Sequence, residues 1–452
     1  MKIFDQVEVF LGNSDTKRRM LSGGAWAAAG QVILFFSSIS VNMLLARLTT
    51  PDELGTYFLA LSLVSFASIF ALFGLPQVVI QLIGEALARK QWGRVRFAAL
   101  WVLKIAAAST GIVSCVILIL TGWKWNAAQV FHSELINSVI WLFPFWIAFN
   151  VFQRLLGEIF RGFNDIKLAT ILGSLSPKLF MLAILVVIWV SGMHSGYQLI
   201  VKATILAGGA STVLGLFLLL RKILPMKDIP LENSGLDLKH ILMTSWPLWV
   251  TNIILFFLTQ ADLWIVGGYS SQADVAIYGA ASRLLVIVVA PLMLVNAIVP
   301  PMIVEMYTLG DIHGLERRLR KIITMVGVPS LFIFIAVFFW SGDILGLIYG
   351  EYYRAGARIL AILCVGQFFN VWAGSSGLVL ILTGHQRLLM AATFLGGGVT
   401  VVGSFLLVRY LGATGPALAA ASGMIVQNFF MLALVKRKVG IWTHMSVYSL
   451  LG

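Results

Sequence analysis

The chain has 452 residues, of which 59% are hydrophobic and only 11% charged, and its mean hydropathy is +0.93. That leaves too few polar residues to cover a soluble surface of this size, so the chain must use lipid as its solvent. A formal net charge of +13 could suggest nucleic acid, but Lys and Arg collect on the cytoplasmic loops of membrane proteins to set orientation, and that accounts for the excess.

Residues 1–20 lack a continuous apolar core of signal-peptide type, being interrupted by Asp5, Glu8 and Asp15. The stretch MKIFDQVEVFLG fits a short interfacial helix or a frayed end. Further on, runs of about 20 apolar residues, the length that crosses the hydrocarbon core, predict twelve membrane-spanning helices. They lie near 22–46, 54–75, 97–120, 136–159, 168–191, 197–220, 241–264, 275–301, 322–341, 357–383, 388–409 and 413–435. Helix stops separate them at Thr50-Pro51, Ser191-Gly192, Ser341-Gly342 and between Gly412 and Pro416.

The positive residues follow the connections. The amino terminus carries Lys17, Arg18 and Arg19, the second loop Arg89, Lys90, Arg94 and Arg96, and the fourth Arg161 and Lys167. The sixth has Arg221, Lys222, Lys227 and Lys239, the eighth Arg317, Arg318, Arg320 and Lys321, the tenth Arg387, and the carboxyl end Lys436, Arg437 and Lys438. The odd loops are poorer in positive charge and include Asp52, Glu53 and Asp274. Both termini and every even loop are therefore expected in the cytoplasm.

Two echoes organise the chain. Glu53, Tyr57, Ala60 and Leu63 reappear 221 positions later as Asp274, Tyr278, Ala281 and Leu284; Gly162 and Ala169 reappear 222 positions later as Gly384 and Ala391. Two nearly equal offsets indicate a duplicated half of about 220 residues, with six helices per half. Both halves start from the same side, so the repeat is parallel and encloses a central cavity between two lobes. The expected fold is an all-α integral membrane protein of twelve helices in two six-helix lobes. The segments are 1–21 (cytoplasmic amino-terminal segment), 22–220 (first lobe), 221–240 (cytoplasmic linker), 241–437 (second lobe) and 438–452 (cytoplasmic tail).

No catalytic pattern stands out. The six histidines, His132, His194, His240, His313, His385 and His444, are scattered, and Cys115 and Cys364 lie in apolar spans of different halves. Neither set offers metal-ligand or disulfide spacing, so no cofactor, no metal and no enzyme activity are expected. The informative residues are ionisable groups inside spans, where a charge costs roughly 2.5–3.5 kcal/mol on insertion scales and so faces a cavity or a partner. Arg154 and Glu158 are expected to pair locally at i and i+4. Lys104 lies in the third span and can either snorkel inward or line the cavity. Lys178 is central in the fifth span beside Pro177, and Arg283 in the eighth has no acid within a helical turn. These three predict a cationic cavity suited to an anion such as phosphate or pyrophosphate. Asp262, ending the seventh span, is either an interface acid or a site of ion coupling. Polar residues such as Asn252, Asn296 and Asn370 can bind sugar hydroxyls or join helices, and Trp246 and Trp249 can stack on sugars or anchor at the interface.

Three stretches carry a family resemblance: LARLTTPDELGTYFLALSLVSFASIFALFGLPQ, AIYGAASRLLVIVVAPLMLVNAIVPPMI and ILGLIYGEYYRAGARILAILCVGQFF. From about residue 20 to 437 the chain resembles the polysaccharide-transporter branch of the multidrug/oligosaccharidyl-lipid/polysaccharide (MOP) exporter superfamily, and Wzx-type O-antigen and exopolysaccharide flippases most of all. The resemblance implies a V-shaped, two-lobed transporter of a bacterial inner membrane. It would carry an undecaprenyl-pyrophosphate-linked oligosaccharide from the cytoplasmic to the periplasmic leaflet by alternating access coupled to an ion gradient, with membrane lipid, a polysaccharide polymerase and a chain-length regulator as candidate partners. Lipid II flippases are less similar, usually carrying two further helices. The drug-exporting branch has an acid in its first span, and GGAWAAAGQVILFFSSISVNMLLARL has none. The competing readings are a cation-coupled small-molecule or multidrug antiporter of the same superfamily, and a membrane glycosyltransferase or polymerase. The latter needs a large extramembrane loop, whereas the longest polar stretch here is RKILPMKDIPLENSGLDLKH.

Overall fold

The computed structural model describes residues 15–122, 133–192, 196–224 and 238–446. Every regular element among the described residues is helical, and twelve helices are long and apolar enough to span a bilayer. The first six are α1 (Gly30–Leu48), α2 (Pro51–Leu72), α3 (Trp92–Leu120), α4 (Glu134–Gly162), α5 (Ile166–Val190) and α6 (Tyr197–Ile223). The second six are α7 (Ile241–Tyr269), α8 (Gln272–Asn296), α9 (Ile312–Phe339), α10 (Glu351–Ala373), α11 (Gln386–Leu411) and α12 (Thr414–Lys438). Each overlaps its expected span. Residues 225–237 of the expected linker, 1–14 of the amino-terminal segment and 447–452 of the tail lie outside the described residues.

The repeat is written into the helix starts. At α2 the Thr50 hydroxyl accepts from the Glu53 backbone at 3.4 Å while the Glu53 carboxylate accepts from the Thr50 N–H at 2.9 Å. At α8 Ser271 and Asp274 make the same reciprocal pair, both bonds 3.2 Å long. Each capping box satisfies two backbone donors that the first turn leaves orphaned, a stronger need near lipid than in water. Glu53 also accepts from the Tyr197 N–H at 3.0 Å, tying the start of α2 to that of α6.

Between the lobes, α2 lies against both α7 and α8. The α2–α7 seam is aromatic: Phe66 packs within 5.3 Å of Phe256, Phe257 and Trp264, and Phe70 and Phe73 meet Trp249 at 5.4 and 5.1 Å. The α2–α8 contact is a close backbone approach at the end of the bundle bearing the odd-numbered connections. A Cβ on Gly55 would collide with the Gln272 carbonyl, so only glycine lets the helices meet there. Beside it Thr56 shares a hydrogen bond with Ser133 at 2.9 Å. At the same end Arg47 of α1 donates to the Leu347 carbonyl at 2.9 Å, in the short helix Ser341–Tyr349 of the second half.

Several spans are broken where the sequence predicts continuous helix. Phe73 and Gly74 both take left-handed backbone, ending α2 before the helix Leu75–Ala88. The expected tenth span stops at Gly374, at φ +71, and resumes as Ser376–Leu382. That break is filled from the carboxyl end, which folds back into the second lobe instead of trailing from residue 438. Ile441 and Thr443 are fully buried. Thr443 donates to the Ala373 carbonyl at 2.9 Å and Met445 N–H to the Trp372 carbonyl at 2.9 Å, taking up acceptors at the end of α10. Ser446 N–H reaches Thr324 of α9 at 3.0 Å.

Gly55→Ala is expected to overpack the α2–α8 seam and cost about 1–3 kcal/mol. Thermal unfolding in detergent checks this, with a lowered midpoint against wild type; an unchanged midpoint would mean that the backbone approach is not tight.

Candidate functional site

The site grows from two helix irregularities. Pro177 has no N–H to give the carbonyl four residues back, that of Gly173. In its place the Gln153 side chain of α4 donates to Gly173 at 3.2 Å, and residues Ile171–Leu175 widen into a π-turn. Lys178 follows this repaired turn, half-buried, and its ammonium donates to the Ser38 hydroxyl of α1. Ser38 in turn donates to the Leu34 carbonyl at 2.6 Å, so the lysine is held to α1 through a hydroxyl rather than a carboxylate.

Arg283 enters from the other lobe, in the last turn of the helix Gln272–Leu284 that forms the first part of α8. Its guanidinium carbon lies 3.6 Å from the centre of the Phe58 ring on α2, and Nη1 donates to the Gly279 carbonyl one turn back at 3.1 Å. A guanidinium over an aromatic face gains about 2 kcal/mol or more once desolvated. Gly279 makes the arrangement possible, because a Cβ there would occupy the place of the Phe58 ring edge and lie 3.1 Å from the Arg283 nitrogen. Tyr57 and Tyr349 flank the guanidinium within electrostatic range. Burial pushes the Tyr349 hydroxyl up to about 12, so it stays neutral.

Lys178 is held to α1, and α1 also packs against α8, the helix that carries Arg283, so both cations sit on helices that flank α1. Among the described residues no carboxylate lies within ion-pair distance of either. Two half-buried cations from opposite lobes, neither with a carboxylate partner among the described residues, concentrate positive charge whose field strengthens as water is excluded.

The other candidates lie elsewhere. Lys104 is exposed, 5.6 Å from the Trp101 ring centre, on a face of α3 that continues through Ala108, Ile112, Val116 and Ile119. This apolar stripe is the setting in which a lysine snorkels. Asp262 is half-buried between α7 and the start of α8, accepting from the Tyr278 hydroxyl at 2.6 Å and from the Leu263 N–H at 2.9 Å. The expected Arg154–Glu158 pair is not made. Glu158 bonds Arg161 instead at 2.6 Å, because an acid placed amino-terminal to its cation suits the helix dipole better, and Arg154 points out, exposed. Asn296 accepts from Ser375 at 2.6 Å, Asn370 donates to Gln367 at 3.3 Å and Gln77 to Asn252 at 3.5 Å, so these amides join helices or turns. Among the described residues no group of three or more metal-ligating side chains comes together. Phe58 and Ser38, which hold the two cations, were not singled out in the sequence; the signal available was Gly279 at i−4 from Arg283, a small residue where a neighbouring helix must come close.

The sequence profile of a polysaccharide biosynthesis protein family matches residues 44–357. The chain belongs to that family. It is 23% identical over 371 residues to a Shigella flexneri protein assigned as an O-antigen transporter, covering 78% of this chain and 82% of the relative. Among solved structures, an inward-facing MATE-family multidrug transporter of the MOP superfamily superposes with a TM-score of 0.69 at 15% identity, covering 91% of this chain and 94% of the other. The inward-closed lipid II flippase MurJ gives 0.67 at 14% identity, covering 95% and 89%. A MOP-superfamily transporter from Pyrococcus furiosus gives 0.64 at 14%, covering 94% and 96%. The fold of this family member is therefore the two-lobed MOP transporter fold.

Tyr278→Phe strands a carboxylate oxygen of Asp262 and is expected to cost about 1–3 kcal/mol. Adding Asp262→Leu should recover part of that loss, which denaturation of the two single variants and the double variant would measure; strict additivity would mean that the pair does not interact.

Proposed function

We propose that the protein is a flippase that carries a polyprenyl-pyrophosphate-linked oligosaccharide, an O-antigen or exopolysaccharide repeat unit, from the cytoplasmic to the periplasmic leaflet of a bacterial inner membrane. The observation that carries this reading is that Lys178 and Arg283, on helices of different lobes that both pack against α1, have no carboxylate within ion-pair distance among the described residues. A pyrophosphate supplies the missing negative charge and several acceptor oxygens, which ammonium and guanidinium groups bind with charge-assisted hydrogen bonds. The family membership and the O-antigen transporter relative point to the same class of substrate.

In this mechanism the pyrophosphate enters from the inner leaflet between the lobes, the glycan occupies the polar interior and the polyprenyl chain stays in lipid. Binding to cations of both lobes draws them together around the anion, and rocking then exposes it to the other side. Lys104, on the lipid-facing stripe of α3, meets the headgroup near the inner boundary rather than in the central site. The Asp262–Tyr278 pair is the candidate for ion coupling, as a half-buried carboxylate whose partner is a hydroxyl. Both termini and the even-numbered connections face the cytoplasm.

Export of surface polysaccharide in a deletion strain complemented with variants tests this. Lys178→Ala and Arg283→Ala should each lower export at least tenfold at normal protein levels, with cytoplasm-facing lipid-linked repeat units accumulating; Lys104→Ala should have a smaller effect. The double reversal Lys178→Glu with Arg283→Glu should abolish export. Normal export in that double variant would refute the cationic site, and loss of resistance to cationic dyes in the deletion strain would favour the cation-coupled antiporter instead.

A further inference from the structure

We propose that Phe58 is the positioning residue of a substrate-released latch: its ring holds the Arg283 guanidinium against α2, keeping the α2–α8 seam closed until a phosphate-bearing anion draws the guanidinium away. This deepens the flippase reading and rests on it for the identity of the anion.

The contact sits where a latch would have to act. Phe58 belongs to the first lobe and Arg283 to the second, and the ring is one helical turn from Gly55, where the two backbones touch. Phe58 is only 1% exposed, so its face serves the guanidinium rather than solvent. The hold is also easily surrendered. A guanidinium has five N–H donors, and Arg283 makes one described hydrogen bond, to its own helix at Gly279. The ring offers it electrostatic attraction but no hydrogen-bond acceptor, whereas a phosphate offers several charged oxygens.

Lys178 sets the direction of the switch. Like charges repel, so without an anion the two cations favour separation, and the contact that the structure gives Arg283 is the Phe58 ring on α2. An anion lying between the two cations turns that repulsion into a shared attraction, so the tie between the lobes moves from the seam to the cavity. The seam is then held by the Gly55 contact and the neighbouring polar bonds, without the aromatic–guanidinium contact.

The test reports on the seam and needs no transport. Cys115 and Cys364 are replaced, Thr56, which is buried in the seam, becomes cysteine, and maleimide labelling is followed on the purified full-length protein with or without inorganic pyrophosphate. Pyrophosphate should raise the labelling rate severalfold in this background. Phe58→Leu, which keeps an apolar side chain and removes the π face, should reach the raised rate without pyrophosphate, while Phe58→Tyr should behave as the parent. Arg283→Gln should match Phe58→Leu, and combining the two should add nothing. Equal rates for the parent and Phe58→Leu would overturn the latch, as would an identical rise in Phe58→Leu and Phe58→Tyr, which would mean that ring packing alone is at work. Export in the Lys178→Ala strain separates the two claims: if export is lost while Phe58→Leu labels like its parent, the latch fails and the flippase reading stands.

Discussion

A half-buried guanidinium inside a membrane protein, with no carboxylate partner among the described residues, is the constraint on which the arrangement of the lobes depends. Arg283 must be stabilised by something, and the protein offers a phenyl face from the opposite lobe and a carbonyl of its own helix. That choice requires glycine at 279 so that the ring can come close, and close packing of α2 on α8, which Gly55 allows. It also leaves positive charge uncompensated beside Lys178. A carboxylate partner would have neutralised the guanidinium; the aromatic face stabilises it and leaves its positive charge in place.

Backbone polarity is managed by the same economy. Where Pro177 frees a carbonyl of α5, a glutamine from α4 fills it, and the lysine that follows is thereby placed on a defined turn rather than on a loose one. Where α10 stops, the carboxyl-terminal segment covers its last acceptors. Irregular backbone at membrane depth is tolerated only when protein groups satisfy it, and these two breaks are satisfied from elsewhere in the chain, by Gln153 and by Thr443 and Met445.

Much of this was legible in the chain. The twelve apolar runs, the 221-residue echo and the acids of both capping boxes follow from periodicity and local hydrogen bonding, which depend on neighbours in sequence. Lys178 and Arg283 were conspicuous because a charge in an apolar run is anomalous by itself. Lys104 was equally anomalous, yet which face of a helix meets lipid is decided by packing, and its stripe of Ile112, Val116 and Ile119 became meaningful only with α3 in place. Glu158 had two cations within reach, and the choice of Arg161 turned on dipole direction. Phe58 was hidden for a different reason: one phenylalanine among 30 carries no mark until an arginine from 225 positions later lies over it.

The folded-back carboxyl end has a consequence for how the protein is made. Ile441, Thr443 and Met445 leave the ribosome after all six helices of the second half, and they supply part of the interior of that lobe. The first lobe can complete its packing earlier, whereas the end of α10 and the Trp372 side chain stay uncovered until residues 441–446, which follow α12, have been made. Packing of that segment is therefore a late step, and truncation directly after Lys438 would separate a protein inserted in the membrane from one that is fully folded.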